Sequence, residues 1–117
     1  MIPQGARAMV VNDDPGQLRL ISGLLQRSGM EVESYLRPEQ AIRELHHQGP
    51  VDLLVVDLHM PSLDGWKFCR LVRSEEFEDF QDMPILVVSA TFSGVEVEEV
   101  SAQIGANAFL SIPFSPD

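Results

Sequence analysis

Short apolar runs alternate with helix-period segments along the whole chain, and no other feature restricts its fold so tightly. The runs fall at residues 8–11, 32–35, 51–56, 85–88 and 108–110. Two of them, LLVV (53–56) and ILVV (85–88), are apolar at every position, as strands covered on both faces must be. The run 32–35 mixes polar and apolar residues and reads as an edge strand. Between the runs, Leu18, Ile21 and Leu25 recur at helical spacing, with Leu20 and Leu24 broadening the stripe. Ala41, Ile42 and Leu45 mark a second helix opened by Pro38. Phe68, Cys69, Leu71 and Val72 mark a third, and Val97, Val100 and Ile104 a fourth. Gly29 and Gly105 stand where helix stops belong, and Gly49-Pro50 is a further break. Five strands alternating with helices predict an α/β fold on a parallel sheet with right-handed crossovers.

A chain of 117 residues suits one domain with a real core. The excess of 18 acidic over 8 basic residues argues against direct nucleic-acid binding and suits cations or basic partner surfaces. The single cysteine, Cys69, excludes an intrachain disulfide and fits a reducing compartment. No apolar run approaches the ~18–20 residues of a membrane span, and the start MIPQGARAM lacks a signal-peptide core. The expectation is a cytoplasmic domain with no membrane partner. Phe114 is followed by Ser115, Pro116 and Asp117, the composition of a helix opening. A single domain over 1–117 is therefore expected, lacking a fifth helix and forming the N-terminal part of a longer multidomain protein.

In an open parallel sheet, ligands bind beyond the carboxyl ends of the strands. The polar residues ending the runs are Asn12, Asp13 and Asp14 after the first, Asp57 after the third, Ser89 after the fourth and Ser111 after the fifth. Asp13 and Asp57 are predicted to converge beside the Ser89 hydroxyl. Two hard oxygen ligands with room for water describe a magnesium site better than a zinc one. A carboxylate beside such a cation can attack a phosphoryl group, because the metal offsets the charge gathering on the phosphoryl oxygens.

Four segments make a resemblance specific: VVNDDP (10–15), VVDLHMPSLDG (55–65), ILVVSA (85–90) and NAFLSIPF (107–114). In content, order and spacing they resemble the signature segments of response-regulator receiver domains, and the resemblance covers essentially the whole chain. It implies a three-layer, flavodoxin-like sandwich with strand order 2-1-3-4-5. It also implies a magnesium-dependent phosphoryl acceptor served by a histidine kinase or phosphotransfer protein and read by a fused or separate effector. A hybrid histidine kinase is one such context, and a homodimer is left open. By the same resemblance Asp57 is the phosphoacceptor, and Asp13 and Asp57 ligate the metal with the backbone carbonyl of His59. Ser89 is the switch hydroxyl, Phe109 is the aromatic that turns inward with it, and Met60-Pro61 and Asp64-Gly65 shape the loop after Asp57.

Two positions depart from the family pattern. Asn12 replaces the first residue of the usual acidic pair, where contact with the metal runs through water. Ile112 replaces the lysine before the last proline, and isoleucine can pair with neither aspartate nor phosphoryl group. Judged as residues alone, Asn12 and Ser89 equally suit hydrogen bonds to backbone at a strand end, Asp14 suits a helix cap before Pro15, and Phe109 suits core packing. His46 and His47 suit the dipole at a helix end. Three functions remain in view: a phosphoaccepting receiver, a pseudo-receiver used as an interaction module, and a hydrolase with an aspartyl-phosphate intermediate. The last lacks a dedicated acid or base, so a phosphoacceptor and not an enzyme is expected.

Overall fold

The fold was analysed in a computed structural model, which describes residues 5–57, 68–69, 72, 82–89 and 108–111. Five strands, β1 (Arg7–Val11), β2 (Glu31–Tyr35), β3 (Leu53–Asp57), β4 (Ile85–Ser89) and β5 (Ala108–Ser111), form one sheet in the order β2-β1-β3-β4-β5. Every neighbouring pair is parallel. Two helices, α1 (Pro15–Arg27) and α2 (Pro38–Gln48), make the first crossovers. Phe68, Cys69 and Val72 are also helical. The fourth helix and the fifth helix expected to be missing fall outside the described residues.

Local sequence accounts for the ends of both helices. Asp14 caps α1, its Oδ1 accepting the N–H groups of Gly16 at 2.8 Å and Gln17 at 3.2 Å, with Pro15 in the first turn. At the other end Gly29 sits at φ 100°. Its N–H reaches the Gln26 carbonyl at 3.0 Å, and the Met30 N–H reaches Leu25 at 3.1 Å. This paired closure needs a left-handed residue, which glycine supplies without a Cβ clash. Helix α2 opens on Arg37 and Pro38 with no side-chain cap and closes at Gly49.

Alternate residues of β1, β3 and β4 feed two cores, one on either side of the sheet. Met9, Val11, Leu54, Val56, Ile85 and Val87 pack with Ala41 and Leu45 of α2 and with Phe68, Cys69 and Val72. Val10, Val55 and Val88 pack with Leu18 and Ile21 of α1. Each fully buried Leu, Val or Phe is worth about 1.5–3 kcal/mol. The apolar runs 53–56 of β3 and 85–88 of β4 are accordingly buried or half-buried on both faces, and β2 lies at the edge half-exposed.

Two expectations need correction. Leu20 and Leu24 do not broaden the buried stripe of α1: they are 49% and 52% exposed. At about 100° per residue Leu20 falls roughly 160° and Leu24 roughly 120° from Leu18, and the buried face is widened instead by Ser22, whose Oγ lies 2.7 Å from the Ser34 Oγ. The third strand begins at Leu53 rather than Val51. Asp52 stands in for a rung, donating its backbone N–H to the Arg7 carbonyl at 2.9 Å while its Oδ2 accepts the Arg7 N–H at 2.8 Å. Val51 is buried in the α2-side core without joining the ladder.

Candidate functional site at the carboxyl edge of the sheet

The parallel register delivers the predicted polar residues to one edge. Val11 pairs with Val56, so Asn12 comes level with Asp57 and Asp13 lies one step beyond. Asp57 is the last residue of β3 and pairs with Val88, which sets Ser89 one step past it. Ser89 in turn pairs with Ser111. Asp13, Asp57 and Ser89 therefore share the carboxyl end of three adjacent strands, where an open sheet binds its ligands.

Burial sorts these groups. Asp57 is 6% exposed and Asn12 is fully buried, whereas Asp13 is half-buried and Asp14 exposed. A carboxylate withdrawn from water at a strand end needs positive charge or hydrogen-bond donors to remain ionised. Asn12 is held on three sides. Its N–H donates to the Tyr35 carbonyl at 3.1 Å, its Oδ1 accepts the Asp14 N–H at 2.9 Å, and its Nδ2 donates to Gln17 Oε1 at 2.9 Å. The backbone-satisfying reading of Asn12 is thus realised, and Asp14 serves as a cap.

Among the described residues, the side chains at this edge offer oxygen ligands: the Asp13 and Asp57 carboxylates and the Asn12 amide. Among the described residues no three His, Cys, Asp or Glu side chains cluster in a metal-binding group. Two carboxylates completed by carbonyl and water suit magnesium, which keeps several waters, and do not suit zinc. The residues present fit that cation. His59, Met60, Pro61, Asp64, Gly65 and Ile112 fall outside the described residues, as do the side chains of Ser89 and Phe109; the backbone of Phe109 pairs with Val87.

Sequence reasoning missed Gln17, which reaches back from the first turn of α1 to the site loop. A glutamine five residues after an asparagine carries no motif, and only the cap geometry brings the two amides together. It also missed Glu33, which gathers Arg7, Tyr35 and Gln48 on the α2 side of the sheet. Those partners come from three elements, and no local pattern joins them. His46 and His47 occupy the last turn of α2, the helix end expected for them.

Comparison with known proteins agrees with this fold. A family model described as the response regulator receiver domain matches residues 8–117. Response regulator Rre1 of Synechocystis is 32% identical over 111 residues, covering 93% of this chain and 46% of that protein. Hybrid signal transduction histidine kinase C of Dictyostelium discoideum is 26% identical over 113 residues, covering 94% of this chain and 9% of that protein. The chain thus spans less than half the length of these relatives. Among solved structures, the Vibrio cholerae chemotaxis protein CheY4 superposes with a TM-score of 0.84 at 26% identity, covering 96% of this chain and 90% of the other. The fold is the flavodoxin-like, CheY-like one.

Proposed function

The chain belongs to the response regulator receiver domain family, and we propose that it accepts a phosphoryl group on Asp57 in a phosphorelay. The observation that carries this reading is the placement of Asp57: a buried carboxylate ending β3, level with Asn12 and one register step from Asp13. The donor is a phosphohistidine on a histidine kinase or phosphotransfer protein. An Asp57 oxygen forms the new P–O bond as the P–N bond breaks, and the departing imidazole nitrogen takes a proton from solvent. Bound magnesium supplies charge that offsets the anionic phosphoryl oxygens. Asp13, Asp57 and the His59 carbonyl would hold it, with Asn12 contributing through water. No helix of the described residues is long and apolar enough to cross a membrane. From the family membership we place the domain in the cytoplasm, read by a fused or separate effector.

A second reading is favoured by one specific observation, the isoleucine at position 112. A lysine there would bridge the phosphoryl oxygens to the end of β5, a charge-assisted bond of about 1.5–3 kcal/mol. Its loss would shift a two-state switch through Ser89 and Phe109 about tenfold toward the resting arrangement. In the limit the domain is a pseudo-receiver that docks partners without responding to phosphate. Incubation with a small phosphodonor or beryllium fluoride and magnesium separates the two. A single adduct by intact mass, lost in Asp57→Asn, supports phosphoryl acceptance. No adduct in a folded sample that binds magnesium supports the interaction module.

A further inference from the structure

Three consecutive polar residues leave β1, and two of them are committed to local bonds. Asn12 Oδ1 accepts the Asp14 N–H at 2.9 Å, and Asp14 Oδ1 caps α1 through Gly16 and Gln17. Asp13, between them, has no side-chain hydrogen bond or ion pair among the described residues. Its direction is therefore set by the turn that carries it, and the turn is set by Asn12.

An amide has one accepting and one donating end, and a fully buried amide must satisfy both. Were the Asn12 amide reversed, its Nδ2 would face the Asp14 N–H, donor against donor. The Asp14 N–H thus fixes which end of the amide points to the turn, and Gln17 holds the other end, its Oε1 accepting the Asn12 Nδ2–H at 2.9 Å. Gln17 is itself anchored, because its backbone N–H is one of the two that Asp14 caps. Two short rings of hydrogen bonds thus run through residues 12, 14 and 17 and enclose Asp13.

We infer that Gln17 is a positioning residue for a divalent cation at this edge: it supplies no ligand, but it locks the Asn12 amide and so aims Asp13. The inference rests on the cation reading under Proposed function. Outer partners of this kind typically govern metal affinity by about tenfold or more.

The test uses the whole chain, with magnesium affinity measured by calorimetry and the Asn12 side-chain amide followed by NMR. Gln17→Leu keeps the bulk and removes the acceptor. It should weaken magnesium about tenfold and free the Asn12 amide protons to exchange with solvent, with the metal-free fold intact. Gln17→Glu keeps the acceptor and should retain both the affinity and the exchange protection. Since that variant also adds a charge, the protection is the deciding readout. Asp13→Ala should abolish binding. Wild-type affinity in Gln17→Leu, while Asp13→Ala still abolishes binding, overturns the inference and leaves the cation reading standing. Absence of magnesium binding in the wild type overturns both. Should Gln17→Leu not fold, the wild-type amide alone decides, and rapid exchange of the Asn12 protons overturns the lock.

Discussion

The Tyr35 hydroxyl donates to Glu33 Oε2 at 2.9 Å, two residues back along the same face of β2. That carboxylate also accepts Gln48 Nε2 and Arg7 Nη2, each at 2.9 Å. Burial pushes Glu33 upward, but the bonds from Gln48, Tyr35 and Arg7 and the Arg7 charge outweigh it and hold the group below its ordinary 4.5. Tyr35 is pushed up to about 12, first by burial, then by the bond and charge of Glu33 and the charge of Glu44.

Opposite pH signatures follow for the two groups. The Glu33 contribution to stability is present above the unfolded value and is lost as pH falls through the depressed folded one. The Tyr35 contribution is complete below its ordinary 10 and is lost as pH rises toward about 12. Tyr35 is the sole tyrosine, so phenolate absorbance titrates it directly. Glu33→Gln should bring that titration down toward 10. An unmoved titration would show that burial alone raises it. Because the pair is partly solvated, Tyr35→Phe should cost only about 1 kcal/mol at neutral pH by urea denaturation.

Asp14→Ala should destabilise the fold by about 1 kcal/mol, the usual value of an N-terminal cap. Both N–H groups that Asp14 Oδ1 serves, those of Gly16 and Gln17, lose their partner. Asp14→Ser should restore most of the loss in thermal denaturation. If the cap is the whole role of Asp14, magnesium affinity falls far less than in Asp13→Ala.

The contrast between these residues shows what a sequence makes legible here. Asp14 before Pro15 reads as a cap because both halves of the signal are local. The strand order and the shared edge of Asp13, Asp57 and Ser89 follow from parallel topology and a family resemblance. Gln17 and Glu33 stayed hidden because their partners are chosen by tertiary approach. Leu20 and Leu24 mislead for another reason: residue type marks them as apolar, but they lie off the face centred on Leu18 and Leu25. Val51 opens the apolar run 51–56 and is buried, yet burial does not require a place in the ladder.

The leucines also yield a paired test. Leu45 of α2 is fully buried against Met9, Val56 and Phe68 in the same core, whereas Leu24 of α1 is 52% exposed. Leu45→Ala should cost about 2–5 kcal/mol, through lost burial and the cavity left behind. Leu24→Ala should change stability by no more than about 0.5 kcal/mol. Urea midpoints of the two variants check this, and comparable losses would show Leu24 to be covered in solution.

Asn12→Asp should exchange stability for cation affinity. Asn12 is fully buried and level with Asp57, which is 6% exposed, so the substitution sets a second carboxylate in a site with little water. Its oxygen can still accept the Asp14 N–H, and Gln17 can turn its amide to donate where it now accepts. Hydrogen bonding therefore survives, and the change is electrostatic. Without metal, two buried like charges should destabilise the domain by about 3 kcal/mol. The loss should shrink as pH falls and one of the pair takes a proton. With magnesium the same charge becomes an asset, and affinity should rise about tenfold, each factor of ten being worth about 1.4 kcal/mol. Thermal melts with and without magnesium, in wild type and variant, read both effects at once. Equal melting temperatures in metal-free buffer would show that position 12 is better hydrated than its burial implies. An unchanged magnesium response would place the cation away from β1.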